Sequence, residues 1–236
     1  MALLQIIQYV CGRMNVPVPA TVTGNTDPLI VQMLRLLEEE GTDLSKRGPW
    51  QGITFEATHT TTAAEDQGTV VSIATNGFRS IKNGTFWDRS SNLPILGPLS
   101  DQQWQMLKGL ATTSPRYQYR IRGGKLLINP TPAASLSWAF EYLSKNWILG
   151  VDGTTYKQYF TLDTDTVLLP EDLVLIGLRW RWKKEKGMDY AEDFAMYEAQ
   201  VNSDLAKDGG KPVLSMSGDR KEARPGIFVP DTSAVS

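Results

Sequence analysis

The spacing of apolar residues changes twice along this chain, and those two changes set its architecture. Leu3, Ile6, Ile7, Val10 and Met14 recur at helical spacing, as do Ile30, Met33, Leu34, Leu37 and Leu44. From Ile53 to Tyr142 the period falls to two, with β-branched and aromatic residues alternating against polar ones. Helical spacing then returns in Leu173, Ile176 and Trp180, and again in Tyr190, Phe194, Tyr197, Val201 and Leu205. Segregated runs of this kind predict an α+β fold. An N-terminal helical hairpin and a C-terminal helix pair pack with a central antiparallel β-rich domain, and an extended C-terminal tail follows. The boundaries read as 1–50 for the first helical part and 51–167 for the β-rich domain, with a short helix near 101–110. Residues 168–208 form the second helix pair, completing the helical bundle, and 209–236 a flexible tail.

Local signals sharpen these elements. Gly12, Pro17 and Pro19 end the first helix, and Asp27-Pro28 starts the second with an N-cap followed by a proline at the first helical position. Thr54 to Thr62 and Val70 to Ile73 read as a strand pair around a turn at Glu65–Gly68. Asn76-Gly77 and Asn83-Gly84 mark further turns, and Ser100 caps a short helix with Trp104, Leu107 and Leu110 on one side. The clearest hairpin joins Tyr117–Arg122 to Lys125–Asn129 through Gly123-Gly124. Leu136, Trp138, Phe140 and Tyr142 line one face of a later strand. Pro170 is expected at the first position of the next helix, and Gly187 separates that helix from the last.

Composition leaves little for catalysis. The sequence has one histidine, His59, and one cysteine, Cys11, too few for a His/Cys zinc site or an internal disulfide. His59 falls in a Thr-rich strand and reads as a solvent-facing side chain; Cys11 reads as a small buried hydrophobe. No nucleophile elbow and no phosphate-binding loop is present. Glu38-Glu39-Glu40 occupies consecutive helical positions and is expected to fan out rather than converge on one metal or one bond. Asp163-Thr164-Asp165 resembles half of a calcium loop but lacks its glycine and distal glutamate. No catalytic residue, metal ligand or cofactor is therefore assigned. The formal net charge of −2 argues against a surface devoted to nucleic acid. The N-terminus lacks the basic start and long apolar core of a signal peptide, and no run is long enough to span a bilayer, so the chain reads as cytoplasmic when made.

Two features point to assembly. Arg179 to Lys186 interleaves cations with Trp180 and Trp182. The cations complement the helix dipole and their stems cover apolar surface, yet Arg179, Arg181, Lys183 and Lys184 also suit contact with DNA or a partner. Trp182 lies about 200° around the helix from Trp180 and is expected to face a partner. In the tail, ordering each residue costs about 1–2 kcal/mol, while Val213, Leu214, Ile227 and Phe228 would each return only about 1.5–3 kcal/mol on burial. The tail therefore cannot hold itself down, and these four apolar residues read as anchors that order only against something else.

The residues Leu3–Val22, Asp27–Trp50 with Gln32, Gly41, Leu44 and Trp50, Phe86-Trp87 through Trp104, Tyr117–Trp147 and Leu168–Val201 share their order and spacing with a known group. In them the chain resembles the head-to-tail adaptors of short-tailed bacteriophages, the tail tubular protein A group; the likeness ends near Lys211. The resemblance implies a virion protein without enzymatic activity, made in the host cytoplasm. It further implies a homo-oligomeric, twelve-membered ring between the portal protein and the tail nozzle protein, with tail fibres as further neighbours. DNA would pass through the channel without specific binding during genome ejection, and no membrane is involved. Two other readings remain from the residues: a nucleic-acid-binding module using the basic helix 179–186, and a tail-associated hydrolase.

Overall fold

The structure, a computed structural model, describes residues 1–109 and 115–209. Helix α1 (Leu3–Arg13) starts where the Gln5 side chain accepts the Ala2 N–H. Helix α2 (Pro28–Arg47) starts as its sequence predicts, with the Asp27 carboxylate accepting the Leu29 N–H at 2.9 Å. A single 3-10 turn (Gln51–Ile53) leads into β1 (Thr54–Thr60), β2 (Asp66–Thr69), a one-turn helix α3 (Val70–Ile73) and β3 (Phe78–Ile81). There follow β4 (Trp87–Asp88), β5 (Leu93–Pro94), α4 (Asp101–Gly109), β6 (Gln118–Arg122), β7 (Lys125–Asn129) and β8 (Ser137–Ser144). The short strands β9 (Ile148–Leu149), β10 (Tyr156–Lys157) and β11 (Thr166–Val167) precede the helices α5 (Glu171–Glu185) and α6 (Ala191–Lys207). The mixed helix and antiparallel-sheet architecture agrees with the α+β reading.

Strand β8 is the spine of the largest sheet. β1 pairs with it antiparallel from Thr54↔Leu143 to Thr60↔Ser137, and β3 and β4 share its other edge. A second sheet, β2-β7-β6, contains the expected hairpin. Gly123 and Gly124 both take positive φ, +58° and +73°, the backbone a two-residue turn needs to match the strand twist. A parallel bridge between Leu96 and Gln118 links the two sheets. Between them lies an aromatic core in which Phe86 packs on Tyr119, Trp138 and Phe140. A separate core unites α1, α2, α5 and α6. Trp147, Ile148, Phe160 and Val167 belong to that helical core, so the three-stranded sheet β10-β9-β11 packs with the helices.

Three local expectations change. The segment Val70–Ile73 forms one helical turn, and Glu65–Gly68 is not a hairpin turn, because β2 begins at Asp66. β1 and β2 pair with β8 and β7, not with each other. The register of β2 with β7 shifts between Asp66 and Thr69, where Gly68 has a φ of +98°. Val70 is then buried while Val71 points out, which serves packing better than a β-run would. Pro170 is the N-cap of α5 rather than its first residue. In α4 the Ser100 hydroxyl and the Gln103 side chain accept each other's backbone N–H, and Trp104 is buried. Leu110 lies outside the described residues.

The Asp163/Asp165 pair stabilises loops through protein donors. Asp163 accepts the backbone N–H groups of Val22 and Thr23. Asp165, fully buried, accepts from Lys157 Nζ at 2.9 Å and from the N–H groups of Thr161 and Leu162. Burial works against its charged form, but these donors outweigh burial and hold the carboxyl below the usual aspartate range. A depressed folded pKa contributes stability that is present above the unfolded value and lost as pH falls. Asp165→Asn is therefore expected to cost about 1–3 kcal/mol at neutral pH. In urea titrations across an acid series, the cost should shrink below about pH 4. An equal cost at pH 3 and pH 7 would contradict this assignment.

Candidate functional site

The basic segment of α5 was the strongest candidate for partner contact, and the structure places much of it inside the helical core. Glu40 of α2 is 0% exposed and Arg181 of α5 is 9% exposed. Arg181 donates from Nε to Glu40, from one terminal nitrogen to Glu39 and from the other to Asp43, each at 2.6 Å. The second oxygen of Glu40 accepts the hydroxyl of Tyr197, a fully buried residue of α6. One guanidinium thus joins four groups from two other helices, directly or through Glu40. Burial pushes the Glu40 carboxyl up, against the opposing pull of Arg181 and Tyr197. Burial likewise pushes the Tyr197 hydroxyl up, and the charge of Glu40 adds to it.

This geometry corrects the expectation that consecutive glutamates cannot converge. Glu39 and Glu40, with Asp43 one turn on, converge on a single planar fork wide enough to receive all three. Glu38 turns away and accepts from Arg35 at 2.7 Å. Gly177 makes the approach possible, since a Cβ there would lie 2.2 Å from a Glu40 oxygen. A glycine inside a helix was the available sequence signal for such a close contact.

The other cations of the run are placed individually. Arg179 and Lys183 both pair with Asp193 of α6, at 2.6 Å and 2.5 Å. Lys184 lies over the Trp180 ring, 5.9 Å from its centroid, and its side chain is exposed. Trp182, expected to face a partner, is 2% exposed in the helical core, with Lys186 over its ring. Val213, Leu214, Ile227 and Phe228 lie outside the described residues. His59 is half-buried, with Nε2 3.2 Å from the Gln67 side chain. Cys11 is buried, as read.

Two surface features were not foreseen. Tyr190 and Phe194 were expected inside a helix-packing seam, yet they are 38% and 36% exposed. Beside them Met188 and Met196 are also exposed, and the Trp180 ring packs on both aromatics. Aromatic and methionine side chains in this setting suit a protein interface. On the outer face of the largest sheet, a groove of about 680 Å³ is lined by Glu56, Trp87, Arg89 and Glu141. Glu56 and Glu141 are register partners, and each is paired with a cation, Arg89 and Lys82 respectively. Among the described residues no group of histidine, cysteine, aspartate and glutamate side chains is placed to hold a metal ion.

The arrangement therefore offers packed helices, internal ion pairs and exposed aromatic surface. The sequence matches the family described as SU10 adaptor protein over residues 1–222. The chain belongs to this family of phage head-to-tail adaptors. No curated protein matches it. The family match places the adaptor among structural components of the phage particle and implies contact with portal and tail proteins. It also runs past the end of α6, beyond the point near Lys211 where the sequence likeness stops. Among the described residues no helix is long and apolar enough to cross a membrane.

Proposed function

We propose that the adaptor forms a closed homo-oligomeric ring, twelve-membered as in the tail tubular protein A group, between the portal and the tail nozzle. The ring surrounds the path of the DNA and carries out no chemistry. The family match over nearly the whole chain carries this reading. The exposed Met188, Tyr190, Phe194 and Met196 corner supports it, because a ring needs apolar surface that the monomer leaves uncovered. The internal pairing of Arg179, Arg181 and Lys183 fits a channel wall that lets DNA slide, since those charges are neutralised within the chain. Docking by Val213, Leu214, Ile227 and Phe228, and the division into helical, β-rich and tail parts, belong to the same proposal.

Native mass spectrometry of the purified chain mixed with the portal of the same phage tests it. The expected result is a portal complex carrying a full ring of adaptor copies, weakened when Tyr190 and Phe194 are both replaced by serine. An adaptor that stays monomeric beside the portal would overturn the ring.

A further inference from the structure

One tryptophan of the seven stands apart. Trp50, Trp104, Trp138, Trp147, Trp180 and Trp182 are buried, whereas Trp87 is half-buried and belongs to neither core. Among the described residues no aromatic ring packs on its indole and no cation lies over it. The sheet explains its position. Trp138, Phe140 and Tyr142 of β8 belong to the aromatic core, so alternation turns Ala139 and Glu141 to the outer face. In register with Ala139 stand Thr58 of β1 and Trp87 of β4, and Glu56 stands opposite Glu141. The short side chain of Ala139 leaves room beside the indole. The groove of about 680 Å³ lies there, within the roughly 300–1,000 Å³ range of ligand pockets.

The charges around this groove do not balance. Glu56 is paired with Arg89, and Glu141 with Lys82. Asp88 also lines the groove and is buried; it accepts the Ser90 N–H at 2.8 Å and the Ser91 hydroxyl at 2.7 Å, and no described cation pairs with it. Two cations thus answer three carboxylates, and one negative charge is left over. The Glu141–Lys82 pair is also loose, at 3.4 Å, with the Glu141 side chain 47% exposed. A carboxylate held this way has acceptor capacity to spare.

A negative groove with an uncovered indole face suits a cation, which the ring quadrupole attracts. A nucleic-acid phosphate would instead meet the excess negative charge. Among cationic side chains arginine fits best, because its planar guanidinium stacks on an aromatic face while its N–H fork reaches a carboxylate.

We propose that this groove binds an arginine side chain of a partner protein, with the guanidinium stacked on Trp87 and donating to Glu141. Ala139 provides the space, and the excess carboxylate charge selects the cation. The site is built by β1, β4 and β8, none of which carries the Tyr190 and Phe194 corner, so it stands whether or not the chain forms a ring.

Nuclear magnetic resonance of the full chain tests this by following the Trp87 indole N–H, assigned from its loss in Trp87→Phe, as acetyl-arginine-amide is added. A saturable shift is expected. Acetyl-citrulline-amide, of the same shape but uncharged, should bind about tenfold or more weakly, and Glu141→Gln should weaken the arginine probe by about tenfold. No response to the arginine probe, or equal affinity for the two probes, would overturn the proposal. An arginine response unchanged in Glu141→Gln would overturn it as well. A saturable shift with N-acetylglucosamine and none with arginine would assign the groove to a glycan, with the same consequence.

Discussion

Arg181→Met is expected to destabilise the adaptor by about 3–5 kcal/mol, the usual cost of stripping one partner from a buried pair. The loss arises because Glu40 is fully buried and, among the described residues, would keep only the Tyr197 hydroxyl as a donor. The double replacement Glu40→Met with Arg181→Met removes both charges and is expected to lie within about 1–2 kcal/mol of the unaltered chain. The pH dependence gives a second check. Burial already raises the Glu40 carboxyl, and without Arg181 it rises further. A raised carboxyl pKa makes the protonated form the better tolerated one, so the penalty is smaller at low pH and grows as pH rises through the folded value. Urea denaturation of the single variant should show a smaller loss at pH 5 than at pH 8. A single variant within 1 kcal/mol of the unaltered chain at both pH values would contradict the role given to this network. The same result bears on the DNA reading. Loss of function on changing Arg181 reports on the fold, whereas exposed Lys184 is the cation whose replacement by Gln reports on contact.

Gly41→Ala is the second large effect, and its sign is the informative part. Gly41 sits inside α2, where helix propensity alone favours alanine by about 1 kcal/mol. A Cβ at this position would lie 2.2 Å from the Trp147 ring. That indole is fully buried and packs edge-on against Phe160, with ring centroids 5.4 Å apart, so it has no free space to retreat into. Overpacking of this kind costs about 1–3 kcal/mol, and the rigid ring places it at the upper end. The expected outcome is a melting temperature lower by about 4–8 °C, accompanied by a changed Trp147 environment in near-UV circular dichroism. A rise in melting temperature would show that propensity prevails and that the α2–Trp147 contact is loose.

These two sites also show what could be read before the fold was known. The start of α2 was legible because Asp27 and Pro28 act within a few residues of each other. The Gly123-Gly124 hairpin and the alternating face of β8 were legible for the same reason, since turn chemistry and side-chain alternation are local. The pairing of β1 with β8 was not, because Thr60 and Ser137 meet only through tertiary contacts that no local pattern encodes. Val70–Ile73 reads as strand by residue type, yet anchoring Val70 in the core decided its conformation. The Arg181 network joins side chains far apart in sequence, and treating Glu39 and Glu40 as fixed spokes of a helix hid how far side chains bend toward one guanidinium. Gly41 and Gly177 were visible as helical glycines, but the groups pressing on them, Trp147 and Glu40, were not. The exposed Tyr190 and Phe194 were hidden by their periodicity, which suits a buried seam and an interface equally well.

The adaptor is proposed to form a structural ring in the phage particle. Electron cryo-microscopy of intact virions, reconstructed around the portal vertex, tests it most directly. The account predicts a ring of density between portal and nozzle into which the α2–α5–α6 bundle and the β8-centred sheet fit. A vertex with no such density, or purified particles from which this chain is missing, would contradict it.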